Sequence, residues 1–161
     1  MRIFSTLTLG ALLLFCTACG SSAGLPQMED FTAVLKKVGN TTTYQMLLLN
    51  AGGSTQLLGF KQKGTLIVPT DEAYNQLGGQ ALMELMDAKQ TSAQLSMLKR
   101  HVLNLPLSPK KLQSMGSVTT LEGNAIPVKM ESNVLSFGEA KVISSFETPE
   151  GMVYVVNKVL K

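Results

Sequence analysis

Thr65-Leu66-Ile67-Val68-Pro69-Thr70-Asp71-Glu72-Ala73-Tyr74-Asn75-Gln76-Leu77 is the stretch that decides how this 161-residue chain folds. Its short apolar run around Ile67 and Val68 reads as a buried strand, and Pro69 stops it. Thr70 is then placed to cap a helix. Asp71 and Glu72 fall in the first turn, where carboxylates suit the positive end of the helix dipole. Ala73, Tyr74 and Leu77 give that helix an apolar face. The run Met152-Val153-Tyr154-Val155-Val156-Asn157-Lys158-Val159-Leu160 echoes the first as a second strand-rich segment near the end of the chain.

Before this stretch the apolar period is helical. Met28, Phe31, Leu35 and Val38 share one face, with Gly39 as the stop, and Tyr44, Leu47, Leu48 and Ala51 repeat the pattern ahead of Gly52-Gly53. Beyond Gly78-Gly79, Leu82, Leu85 and Met86 predict a further helix. Thr91 with Gln94 predicts a capping box opening a helix through Leu95, Leu98 and Val102. Ser108-Pro109 starts a short helix in which Pro sits where a missing N–H costs nothing. From Ser117 the period becomes two: Ile126, Val128 and Met130 alternate with polar residues, as do Leu135 and Phe137. Gly123-Asn124 predicts a two-residue hairpin loop and Thr148-Pro149-Glu150-Gly151 a type I turn. A helical first half and a stranded second half, with one strand inserted early, make an α+β domain without internal repeats.

The two boxes resemble the signature motifs of the fasciclin domain family, in the family's order and spacing, and the likeness covers residues 29–160. It implies helices mainly in the N-terminal half packed against a β-sandwich or wedge formed largely by the C-terminal half. It also implies an extracellular adhesion or interaction module that is not an enzyme; no cofactor or metal is expected. Thr65, Pro69, Thr70, Asp71, Ala73, Tyr74, Tyr154, Asn157, Val159 and Leu160 lie in the family boxes and carry a structural role by that resemblance, although two of them depart from the family pattern. Tyr154 and Asn157 stand where the family tends to have His and Asp. If the terminal strand stays regular, Asn157 shares a face with Val153, Val155 and Val159 and is a buried polar anchor.

The N-terminus reads as a leader. Arg2, an apolar run over residues 7–15, and Cys16-Thr17-Ala18-Cys19-Gly20-Ser21-Ser22 describe an export signal, too short to span a bilayer. The small residues around Cys19 resemble a bacterial lipobox. This predicts a lipoprotein signal peptide at residues 1–18, a lipidated Cys19 with a short tether at 19–27, and one domain at 28–161. Cys16-x-x-Cys19 has redox or zinc spacing, but it lies inside the leader with no downstream His or Cys to complete a metal site. With Cys19 acylated no thiol pair remains for a disulfide, so stability rests on the core. The expected location is the cell envelope, at the outer membrane or cell surface, with the periplasm as the other compartment. A net charge of +3 is too small for nucleic-acid binding. Lys36-Lys37, Lys99-Arg100 and Lys110-Lys111 read as solvated helix faces. A monomer is expected.

His101 is the sole histidine. Fasciclin domains often carry a Tyr-His pair at this point, linked in animal members to receptor binding. This chain keeps the His and has Arg100 in place of the Tyr. His101 is therefore a possible partner contact. Its place on the margin of the Leu95/Leu98/Val102 stripe points instead to a structural imidazole bonded to backbone. No H-E-x-x-H and no P-loop occur, and adjacent Asp71 and Glu72 project to different helix faces. Met28, Met83, Met86 and Met130 fall at core-facing positions. Asn40-Thr41-Thr42 fits a glycosylation sequon, which a bacterial lipoprotein leaves unused. The partners expected are a membrane, through Cys19, and a protein or matrix polysaccharide. A carrier of an apolar small molecule is the alternative, because a Met- and Leu-rich α+β core could open a pocket.

Overall fold

The computed structural model describes residues 31–51, 57, 63–87 and 89–161. The leader, Cys19, the tether, Met28 and Gly52-Gly53 lie outside them. Two helices come first, α1 (Phe31–Val38) and α2 (Thr42–Asn50). Strand β1 (Gly64–Pro69) leads directly into α3 (Asp71–Asn75), followed by α4 (Gly79–Met86) and α5 (Thr91–Arg100). The remainder is β2 (Val102–Leu103), α6 (Pro109–Met115), β3 (Ser117–Thr119), β4 (Ala125–Glu131), β5 (Val134–Phe137), β6 (Ala140–Thr148) and β7 (Gly151–Val156).

The seven strands form one sheet in the order β2-β1-β7-β6-β5-β4-β3. Every pairing is antiparallel except β1 with β7, whose register runs from Gly64↔Gly151 to Pro69↔Val156. The two sequence boxes are thus hydrogen-bonded neighbours inside the sheet, second and third in its order. Both strands are buried along their full length, as expected of a parallel pair covered on both faces.

Alternation along this pair separates two cores. Leu66, Val68 and Val153 face the helices and pack with Phe31, Tyr44, Leu47 and Leu98. Ile67, Met152, Tyr154 and Val156 face the other way, onto Val118, Ile126, Val128, Leu135 and Phe137. Strands from both ends of the sheet therefore share one core, and the sheet folds over on itself as a wedge. The α+β reading holds, with the helices concentrated in the N-terminal half.

Several local expectations are corrected. The helix containing Leu98 ends at Arg100, and Val102 lies in β2 opposite Leu66, because the antiparallel ladder to β1 captures the chain. The predicted Thr91/Gln94 capping box does not form. The cap position is Gln90, and the buried Gln94 amide donates to the carbonyls of Leu85 and Asp87 at 2.9 and 3.1 Å, tying α4 to α5. The β3–β4 connection runs over five residues, Thr120 to Asn124, with the Thr120 amide donating to the Asn124 carbonyl across it and Gly123 at φ +96°. Met83 is exposed rather than core-facing. Strand β7 ends at Val156, so Asn157 is only half-buried.

Candidate functional site

Thr70 caps α3 as its sequence position requires, its hydroxyl accepting from the Ala73 amide at 3.3 Å. Asp71 reaches further. Its carboxylate accepts from the Thr42 and Thr43 amides at 3.1 and 2.8 Å, so it satisfies the open N-terminus of α2. Partial burial works against its charge, but the donors of Thr43 and Thr42 outweigh that and lower its pKa. Glu72 accepts from the Asn40 side-chain amide, and the Asp71 amide donates to the Asn40 carbonyl at 3.0 Å. Adjacent carboxylates thus brace one loop from two sides, and they form no acid–base pair. Sequence reading missed this role because the partner helix lies about thirty residues upstream, beyond any local pattern.

The other motif residues also hold backbone. The Thr65 hydroxyl donates to the Leu105 carbonyl at 2.7 Å and accepts from the Leu107 amide at 2.9 Å. The buried Tyr154 hydroxyl donates to the Leu107 carbonyl at 2.7 Å, and its ring meets Phe137 edge-on at 5.5 Å. Both boxes thereby fix the chain between β2 and α6. Asn157 pairs with Lys141 through its own amide at 3.1 Å and through its side-chain oxygen, which accepts from the Lys141 amide at 2.8 Å. Ala73 and Tyr74 are buried, Val159 is half-buried and Leu160 buried.

His101, named above as a possible partner contact, has no exposed surface. A backbone amide can only donate, so the Leu160 amide at 3.0 Å requires a lone pair on Nε2. The proton then sits on Nδ1 and is donated to the Met97 carbonyl at 2.8 Å. Burial, opposed by the Met97 carbonyl and helped by Arg100, lowers the pKa to about 4. Tyr44 stands edge-on to the ring at 6.4 Å. The neutral imidazole therefore clamps the carboxy-terminal tail to the end of α5, with neither nitrogen left for chemistry or for a partner.

What lies open is a groove of 410 Å³ beside this clamp. Ala73 and Leu77 come to it from the first box and Lys158, Val159 and Leu160 from the second; β4 and the turn between β5 and β6 close it. Its rim carries the ion pair Lys158–Glu139 at 3.2 Å. The sequence boxes placed one half of this groove. The half formed by residues 125–127 and 137–140 carried no motif, only the alternation that marked Ile126 and Phe137 as inward-facing.

The Fasciclin domain family model matches residues 27–161. The chain is similar to Periostin of Homo sapiens, 28% identical over 98 residues, which is 60% of this chain and 12% of that protein. Its fold is similar to a FAS1 domain pair from the insect cell adhesion molecule Fasciclin I, with a TM-score of 0.57 and 18% identity. That likeness covers 74% of this chain and 44% of the pair. The chain thus spans less than half the length of either.

Proposed function

The chain belongs to the fasciclin domain family, and from that premise we propose that it is a cell-envelope lipoprotein whose domain acts as a non-catalytic adhesion or interaction module. The match over residues 27–161 supports the interaction-module part of this reading, since it takes in every described element. The structural neighbour is part of a cell adhesion molecule, which supports the adhesive part. The sealed state of His101 supports a non-catalytic role, because general acid–base work needs an imidazole within reach of a substrate. Among the described residues no helix is long and apolar enough to cross a membrane. Attachment to the membrane is assigned to a lipidated Cys19.

The partner is a protein or a matrix polysaccharide. Contact area is available on α2, where Met46 and Leu49 are exposed, and on β6, where Ile143 and Phe146 are. Capture from envelope extract with the full chain tests the proposal. The expected result is saturable retention of one partner that is lost in variants carrying Met46→Lys with Leu49→Lys, or Ile143→Lys with Phe146→Lys. Retention unaffected by either pair would remove these faces from the reading, and no retention from extract or matrix would remove the module itself.

A further inference from the structure

We infer that the outer edge of β6 around Ser145 and Glu147 pairs with the same edge of a second copy of this chain, continuing the sheet across a two-fold axis. Strand β6 changes neighbours along its length. It pairs with β5 only through Ala140 and Lys141 but with β7 as far as Thr148, so beyond the shift in register between Val142 and Ser144 one side has no strand. Which groups face that side follows from β7. The carbonyls of Glu150 and Val156 accept from Gly64 and Thr70 on the β1 side, whereas the Asn157 amide donates to Lys141 on the β6 side. Gly151, Val153 and Val155 therefore turn their backbone groups to β6, where their partners are Thr148, Phe146 and Ser144. The N–H and C=O groups of Ser145 and Glu147 point outward, and among the described residues nothing bonds to them. Both residues are exposed.

This edge fits its own copy. In the antiparallel register that sets Ser145 of each copy opposite Glu147 of the other, every one of these outward groups finds a partner. Phe146 then lies on the axis opposite its counterpart, in the non-hydrogen-bonded type of pair that brings cross-strand side chains closest. Phe146 is 36% exposed in the single chain, and this contact covers it. On the other face each Glu147 carboxylate meets a Ser145 hydroxyl. The same register sets Ile143, the extra residue of the shift in register and 61% exposed, opposite the exposed Pro149. Pro149 has no N–H to offer, so pairing stops at the same point in both chains. A foreign strand would have to match this bracket of shifted register and Pro separately, whereas a second copy matches it by symmetry. The two Glu147 carboxylates become diagonal neighbours, a like-charge pair that opposes association. Because the paired stretch is short, the dimer is a weak one that forms by mass action. The assignment goes beyond the foreign partner proposed above and does not depend on it, and it replaces the monomer expected from the sequence.

Sedimentation equilibrium of the full chain in a density-matched neutral detergent tests the assignment, and a monomer–dimer equilibrium is expected. Ser145→Pro should weaken it about tenfold or more without moving the urea midpoint, because the Ser145 N–H lies outside the β6–β7 ladder. Glu147→Gln should tighten it about threefold by removing the like-charge pair. Should the Pro variant not fold, amide exchange in the parent decides: the Ser145 and Glu147 amides should gain protection as the concentration rises. A monomer at every concentration, a dimer that Ser145→Pro leaves intact, or a dimer in which both amides stay unprotected would overturn the edge. A Glu147→Gln dimer no tighter than the parent would overturn the register. A parent that stays monomeric yet retains a foreign partner would overturn the second copy alone and leave the proposed module standing.

Discussion

At Gly151 the backbone of β7 passes so close to β1 that a Cβ added there would lie 1.8 Å from the Gly64 carbonyl oxygen. Its φ of +138° is one that side chains rarely adopt. Gly151→Ala must therefore break the first pair of the parallel ladder, and a loss of ~3 kcal/mol is expected, read as a lower urea midpoint. His101 sets a different test. Its pKa is about 4 in the fold and near 6.5 when unfolded, so the unfolded chain binds the proton first as pH falls. Its contribution is complete above about pH 6.5 and is lost progressively down to about pH 4, to a total on the order of 3 kcal/mol. Urea midpoints measured from pH 7 to pH 4.5 should fall in the parent and fall less in His101→Gln. Parallel curves would show that His101 is not the titrating group.

On the scale of elements, the capping chemistry between β1 and α2 sets the joint between sheet and helices. Thr70→Ala should cost ~1 kcal/mol, the usual loss of a helix cap. Asp71→Ala should cost more, ~2 kcal/mol, because it strips two amides at the start of α2 of a charged acceptor. Equal urea midpoints for the two variants would show that the reach to α2 contributes nothing. Thr70 was legible because an N-cap is a local pattern of strand, Pro and hydroxyl. The partnership of Asp71 with Thr42 and Thr43 was not, since no periodicity joins residues in separate elements. The same division explains the misread end of α5. Leu95, Leu98 and Val102 keep helical spacing, but Leu66 and Thr65 offer Val102 and Leu103 a ladder, and tertiary pairing outweighs a weak propensity. It explains the tight turn at Ser132-Asn133 as well, where both residues take positive φ and close a two-residue hairpin between β4 and β5. Neither carries the Gly that usually announces such a turn. The groove was half legible for a related reason, because its motif residues were visible while the strand corner facing them is a product of register.

For the whole molecule, the interior β1–β7 pair belongs to both cores, so the two halves should unfold together, although one strand ends at Pro69 and the other begins at Gly151. If the domain acts at a surface as proposed, something must hold it there, and among the described residues no helix is long and apolar enough to cross a membrane. Cys19 is the residue proposed for that task. A single acyl chain anchors a protein marginally and reversibly, whereas several chains on one cysteine anchor it firmly. Removing the thiol removes every chain at once. Cys19→Ala should therefore move the protein from the membrane fraction to the soluble fraction, or leave it as an uncleaved precursor held by residues 1–18. The folded domain itself should be unchanged, with the same urea midpoint as the parent, because Cys19 lies twelve residues ahead of Phe31, where the first helix begins. Mass spectrometry of the native N-terminus reads the outcome directly: an acylated Cys19 at the first position is expected. An unmodified Cys19, a cut at another bond, or a Cys19→Ala protein that still fractionates with the membrane after cleavage would mean that the domain is held there by its partner and not by lipid.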